Sequence, residues 1–98
     1  MSKEDRAVHR LPNPLRDEIV AEIDRATELH GEQDNLPDSV WLAIATEEVG
    51  EVAEGVLKEG WGKGDTEHTD EEIVQVIAVM THWLMIRRAR VGDRRKPS

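Results

Sequence analysis

Apolar residues recur at intervals of three or four positions in three segments of the chain, and no segment alternates apolar and polar residues over the length of a strand. This interval matches the turn of an α-helix, so each segment would present one apolar stripe to a core. Phe and Tyr, which are typical of strands, are absent. The pattern therefore predicts an all-α protein in which three main helices form an antiparallel helical bundle.

Prolines, glycines and capping side chains indicate where the helices begin and end. Asn13 and Pro14 suit an N-cap and a first helical position, and Gly31 suits the end of the same helix. The expected cap of the second helix is Asp38 or Ser39. The predicted helices cover 14–30, about 40–58, and about 70 to 88 or 90.

A glycine-rich segment, EGWGKGD, separates the second helix from the third. It contains three glycines, and each would cost about 1 kcal/mol inside a helix, so the segment is expected to be a flexible connection. Thr69 and Glu72 have the spacing of a capping box, which would stabilise the start of the third helix.

A chain of 98 residues with 38% apolar content can build one core, so a single domain is expected. We predict a helical domain at 13–90, between a flexible N-terminal segment at 1–12 and a basic flexible tail at 91–98. So short a chain keeps much of its apolar surface exposed. The bundle is therefore expected to be completed by oligomerisation, as a homodimer or a homotetramer.

The charge of the chain is unevenly distributed. Residues 17–86 contain eighteen Asp and Glu but only three Lys and Arg, which gives this segment a net charge of −15. An acidic body lacks the basic face that duplex nucleic acid requires. The chain has no cysteine for disulfides or thiolate sites and no apolar run of the roughly 20 residues that span a bilayer. We therefore expect a cytoplasmic protein without membrane or duplex nucleic-acid partners.

Two acidic pairs interrupt or border the apolar stripes of the second and third helices. Glu48 projects into one stripe with Glu51 at its edge, and Glu72 and Gln75 repeat this arrangement. A carboxylate without a partner is costly in such a place, and few Lys or Arg are nearby in the sequence. Side chains three positions apart lie one turn from each other, and an all-oxygen cluster suits Mg²⁺, with Mn²⁺ as a substitute. The alternative for Glu72 is the capping box with Thr69.

The strings EEVGEVAE and EEIVQV, with a glycine-containing loop between them, resemble the paired motif of the MazG-like nucleoside triphosphate pyrophosphohydrolases over roughly residues 13–88. In that family, Glu-x-x-Glu on one helix and Glu-x-x-Asp on the next hold Mg²⁺ against the triphosphate. Glu48, Glu51 and Glu72 match this motif, and Gln75 stands where the family has aspartate. An amide oxygen can ligate a cation, but it adds no negative charge and is no base.

The resemblance implies hydrolysis of a nucleoside triphosphate between its α and β phosphates, in the housecleaning of nucleotide pools. Glu47 matches an additional acid of the family, and Glu47 or Glu51 would orient the attacking water. Because of Gln75, a second hypothesis is a catalytically weakened module that binds nucleotides or a protein partner. A third is a helical interaction module that has no such site.

The sequence offers few residues for recognition of the substrate. Trp61 could stack on a base and Lys63 could reach a phosphate, although a solvated lysine is the simpler interpretation. The helical positions of Trp41 and Trp83 favour packing in the core. His82 falls on the side of the third helix that carries Gln75, where it either joins the site or is a partly buried helix residue.

Overall fold

The computed structural model describes residues 10–31, 33 and 35–95, with side chains up to residue 92. This part of the chain forms three α-helices and no strand: α1 is Asn13–His30, α2 is Asp38–Gly60 and α3 is Thr66–Arg95. Both α1 and α2 pack against α3. The predicted all-α class with three main helices is confirmed, while most of the expected flexible segment 1–12 lies outside the described residues.

The first helix ends as predicted but begins with a different cap. Pro12 occupies the N-cap position without a side-chain hydrogen bond, so Asn13 is the first helical residue instead of the cap. At the other end Gly31 has a φ of 73°, which glycine adopts without strain. Its N–H donates to the carbonyl oxygen of Thr27 at 2.8 Å, a bond that closes the helix. Ile19 of the predicted apolar stripe is buried.

The third helix begins earlier than predicted, because Asp65 caps it. The Oδ1 atom of Asp65 accepts the backbone N–H of Glu67 at 3.0 Å. Thr69 lies inside the helix and is 4% exposed, and its hydroxyl donates to the carbonyl oxygen of Asp65 at 3.2 Å. The predicted capping box of Thr69 and Glu72 is therefore wrong, and Glu72 is not required for a cap.

The same helix also ends later than predicted. It continues to Arg95, so the first part of the expected flexible tail at 91–98 is helical. Arginine has a high helix propensity, which offsets the cost of Gly92 within the helix. The last residues of the tail, 96–98, lie outside the described part of the chain.

The core is small, and its packing brings α2 and α3 close together near Gly55. Its buried apolar residues are Ile19, Trp41, Ala45, Ala78 and Ile86. A Cβ atom added at Gly55 would lie only 2.8 Å from Oγ1 of Thr69. Glycine thus permits the end of α2 to approach the start of α3.

A cluster of polar contacts, which we call the Asp38 clamp, joins the start of α2 to the second half of α3. The Oδ1 atom of Asp38 accepts Nε1–H of Trp83 at 2.9 Å and Arg90 at 3.1 Å, and Oδ2 accepts Arg87. Arg90 also donates to the carbonyl oxygen of Leu36 at 2.6 Å. The hydrogen bond from Trp83, followed by the charges of the two arginines, lowers the pKa of Asp38. Together with the Gly55 contact, the clamp makes α2 and α3 antiparallel.

None of the helices in the described part of the chain combines the length and the apolar character that a membrane crossing requires.

Candidate metal centre

Three carboxylates from two helices meet at the interface of α2 and α3. Glu48 and Glu51 lie one turn apart on α2, Glu72 faces them from α3, and one oxygen of each lies within 4.8 Å of the others. Two oxygens at about 2.1 Å on opposite sides of Mg²⁺ are about 4.2 Å apart, so this spacing is close to that of a shared ion. The donor set, which is entirely oxygen, also suits a hard divalent cation.

The side-chain amide of Gln75 lies between two of these carboxylates. Its nitrogen donates to Oε2 of Glu48 at 3.0 Å and to Oε2 of Glu72 at 3.2 Å. The opposite amide orientation would bring the oxygen of Gln75 against carboxylate oxygens, so the hydrogen bonds assign this one. The four predicted ligands are therefore adjacent. A cation among the carboxylates would favour the reverse orientation, in which the amide oxygen faces the ion.

The carboxylates of the cluster repel one another, and this changes their proton affinity. Burial, followed by the charges of Glu51, Glu47 and Glu22, raises the pKa of Glu48. A hydrogen bond with Glu72, together with its charge, raises the pKa of Glu51. The cluster therefore favours a positive partner, and a divalent cation would compete with protons for its oxygens.

Glu72 has one further partner, because Nε2 of His68 lies 3.5 Å from its Oε1 atom. The side chain of Glu72 is only 13% exposed, whereas that of His68 is 64% exposed. This contact lies on the outer side of α3. Glu72 therefore belongs to the cluster at the helix interface and also contacts a side chain on the protein surface.

All three helices contribute to a cavity of about 460 Å³ beside the carboxylates. Glu47, Glu48 and Gln75 line it on one side. Trp41, which is 2% exposed, and His82 contribute to its apolar wall, with ring centroids 5.1 Å apart and planes at 71°. Trp41 is buried in the core, as its helical position predicted, and His82, which the sequence left open, is partly buried beside the cavity.

The first helix supplies cavity residues that the sequence pattern did not indicate. Glu22 and Arg25 of α1 line the cavity, and so do His30 and Gln33, which lie at and just after the end of α1. Nε of Arg25 donates to both carboxylate oxygens of Glu22, at 3.2 and 3.1 Å. The sequence held one signal: Arg25 is the only Arg, and one of only three Lys and Arg, between 17 and 86.

Trp61 and Lys63, the predicted substrate-binding residues, lie in the connection between α2 and α3. Trp61 is 66% exposed, and the backbone N–H of Lys63 donates to the carbonyl oxygen of Lys58 at 2.9 Å. Neither residue belongs to the cavity lining beside Glu48 within the described part of the chain. Their role in substrate binding stays a prediction.

Comparison with known proteins found no matching family model, no matching curated protein and no matching solved structure.

Proposed function

We propose that the protein is a Mg²⁺-dependent nucleoside triphosphate pyrophosphohydrolase, in which Mn²⁺ can substitute. The observation that carries this proposal is the meeting of Glu48, Glu51 and Glu72, whose oxygens lie within 4.8 Å of one another. The cluster adjoins a cavity of about 460 Å³, a volume within the usual range for small-molecule sites. The motif resemblance supplies the substrate class and the bond that is cleaved.

The cation would be held by the three carboxylates and by the amide oxygen of Gln75. When present, Mg²⁺ supplies Lewis-acid stabilisation of the negative charge that develops on the phosphate oxygens. The nucleobase would lie against the apolar side of the cavity, where the partly exposed ring of His82 offers a flat surface. This leaves the phosphate chain beside Glu48, where hydrolysis would occur.

Glu47 is the better candidate for the general base. It lines the cavity but does not belong to the cluster of three carboxylates, whereas Glu51 does. Its carboxylate would accept a proton from water as the water oxygen forms a bond to phosphorus. The bond from the α-phosphorus to the oxygen that bridges it to the β-phosphorus breaks, and pyrophosphate leaves with that oxygen. Glu51 would act as a ligand, although the sequence also suggested it as a base.

The decisive experiment is to incubate the purified protein with Mg²⁺ and a panel of nucleoside triphosphates and to identify the products. We expect the monophosphate and pyrophosphate, and we expect Glu48→Gln to abolish their release. Glu54→Gln is a matched control, since Glu54 is on the same helix but pairs with Lys58 at 2.9 Å on the surface. Absence of turnover with every nucleotide, under both Mg²⁺ and Mn²⁺, would reject the proposal.

A second candidate is a catalytically weakened module that binds nucleotides or a protein partner. The observation that favours it is the neutral amide of Gln75 among the carboxylates, because this position adds no negative charge. If the wild type binds nucleotides without turnover and Gln75→Asp starts hydrolysis, the natural protein is a binding module. A helical module without any site would bind neither Mg²⁺ nor Mn²⁺ in calorimetry, with or without nucleotide.

The exposed apolar surface supports assembly into a homodimer or a homotetramer. Among the described residues, fifteen large apolar side chains are exposed, compared with five apolar residues in the core. Several of them, including Val20, Ile77 and Met85, border an apolar groove between α1 and α3. A second copy of the chain would remove this surface from water. Analytical ultracentrifugation would measure the number of chains, and a monomer at all concentrations would reject this assembly.

An enzyme of nucleotide pools would act in the cytoplasm, which is the location that we propose.

A further inference from the structure

Arg25 is the only Lys or Arg among the described residues that line the cavity beside Glu48. The same lining contains the carboxylates of Glu22, Glu47 and Glu48. A phosphate chain that enters this cavity would be repelled by these acids unless positive charge compensates for them. A cation in the carboxylate cluster would compensate on the side of α2 and α3. On the side of α1, Arg25 is the lining side chain that is always positively charged and can compensate.

The guanidinium of Arg25 is held in the cavity wall by a partner that it can exchange. Nε donates to both oxygens of Glu22, and a terminal nitrogen contacts the same carboxylate. The side chain of Arg25 is 53% exposed, and ion pairs this exposed contribute little to stability. Arg25 lines the same cavity as Glu48. A phosphate group beside Glu48 could therefore replace Glu22 as its partner.

We propose that Arg25 binds the phosphate chain of the nucleotide and that Glu22 holds Arg25 in place until the nucleotide arrives. This inference rests on the proposed function of the site. Guanidinium is planar and always charged, and its parallel N–H donors match two phosphate oxygens at once. Glu22 positions these donors toward the cavity in the absence of substrate. Because Arg25 would contact phosphate and not the base, its contribution to affinity should be the same for every nucleotide.

The test uses inorganic tripolyphosphate with saturating Mg²⁺ as the probe, measured by calorimetry on the full chain. We expect Arg25→Gln to weaken binding by at least about tenfold, since it removes charge-assisted hydrogen bonds. Arg25→Lys keeps the charge but loses the paired donors, so its affinity should be intermediate. Lys58→Gln is the control, because Lys58 has an exposed partner of the same kind in Glu54 but does not line the cavity.

Glu22→Gln is expected to have the opposite effect on binding. Gln keeps a side-chain oxygen that can accept from Arg25 but removes the negative charge that competes with phosphate, so tripolyphosphate should bind at least as tightly as in the wild type. If the ion pair were only structural, Glu22→Gln and Arg25→Gln would weaken binding equally. Melting temperatures of all variants would check that each one folds.

The results separate this inference from the proposed activity. Equal affinities of Arg25→Gln and the wild type would overturn the inference, and so would a wild type that does not bind tripolyphosphate. A wild type that binds the probe through Arg25 but hydrolyses no nucleotide would reject the enzyme and keep the phosphate site. In an active enzyme, Arg25→Gln should raise KM by a similar factor for every nucleotide in the panel.

Discussion

The side-chain nitrogen of Gln75 on α3 lies 3.0 Å from Oε2 of Glu48 on α2. The same nitrogen also donates to Glu72, so one neutral amide links carboxylates of both helices. These bonds stabilise the cluster when no cation is bound, because they provide donors to groups that can only accept. A cation that enters the cluster must displace them. In the orientation with its nitrogen toward the carboxylates, Gln75 would oppose cation binding. In the reverse orientation, its oxygen would be a ligand and would support binding.

Replacement of Gln75 by aspartate should have opposite effects on the metal-free and the metal-bound protein. A fourth carboxylate increases repulsion, so we expect Gln75→Asp to lower the melting temperature in a chelator. The added charge should raise the affinity for Mn²⁺ by about tenfold or more. Gln75→Met is the control, because it removes the donors without adding charge and should lower the melting temperature only. Unchanged Mn²⁺ affinity in Gln75→Asp would show that this position does not face the ion.

Adjacent glutamates on α3 give a sharp test of the cluster. Glu72 contributes to it, whereas Glu71 is exposed on the rim of a different groove. We expect Glu72→Gln to weaken Mg²⁺ binding by roughly tenfold or more and Glu71→Gln to leave it nearly unchanged. Since Asp65 caps α3, neither change should shorten the helix. Equal effects of the two substitutions on calorimetric Mg²⁺ binding would contradict a specific site.

The raised pKa of Glu48 predicts a pH-dependent difference between the wild type and Glu48→Gln. Because burial raises this pKa above 4.5, the metal-free folded protein holds the proton more tightly than the unfolded chain does. The stability that this proton confers is present at low pH and is lost as pH rises through the raised pKa. At neutral pH in a chelator, Glu48→Gln should therefore melt at a higher temperature than the wild type.

This difference should shrink as the pH is lowered toward 4.5, the ordinary pKa of glutamate. With saturating Mg²⁺ the order should reverse, since only the wild type retains the full ligand set. Glu54→Gln changes an exposed carboxylate on the same helix that lies outside the cluster, so both trends should be much weaker than in Glu48→Gln. Parallel melting curves of the wild type and Glu48→Gln at every pH would contradict the assignment of Glu48 to a partly buried cluster.

Two glycines of α2 should respond to alanine in opposite ways. A Cβ atom at Gly55 would meet Oγ1 of Thr69 at 2.8 Å, whereas one at Gly50 has no neighbour within 4 Å. We expect Gly55→Ala to cost about 1–3 kcal/mol through overpacking and Gly50→Ala to stabilise by about 0.4–1 kcal/mol. Urea denaturation would measure both values. Combining Gly55→Ala with Thr69→Ala should recover part of the loss, and a failure to recover would mean that the close contact is not the cause.

The order and approximate extent of the helices could be predicted from the sequence, because apolar periodicity and turn residues are local signals. The position of Glu48 within an apolar stripe likewise predicted that it would face α3. The start of α3 was harder to predict. Asp65 and Thr69 both suit an N-cap, and the choice depends on the packing of Thr69 against Gly55, which lies on another helix.

The contribution of α1 to the cavity could not be predicted from any single helix. Glu22 and Arg25 form a pair three positions apart, which in sequence is typical of a solvated helix face. They line the cavity only because α1 packs against α3 at a place that also brings them opposite α2. The Asp38 clamp was missed for the same reason, since its partners are about fifty residues away in the chain.

The Asp38 clamp also has a consequence for the candidate metal centre. The hairpin of α2 and α3 is held near both ends, mainly by the part-buried hydrogen bond from Trp83 to Asp38 on one side and by the Gly55 contact with Thr69 on the other. Glu48 and Glu72 lie between these two contacts along their helices, so the backbone around them is held on both sides. The distance between their backbones is therefore fixed by folding, and an incoming ion would not have to order the two helices. Binding strength would then depend on charge more than on rearrangement of the backbone.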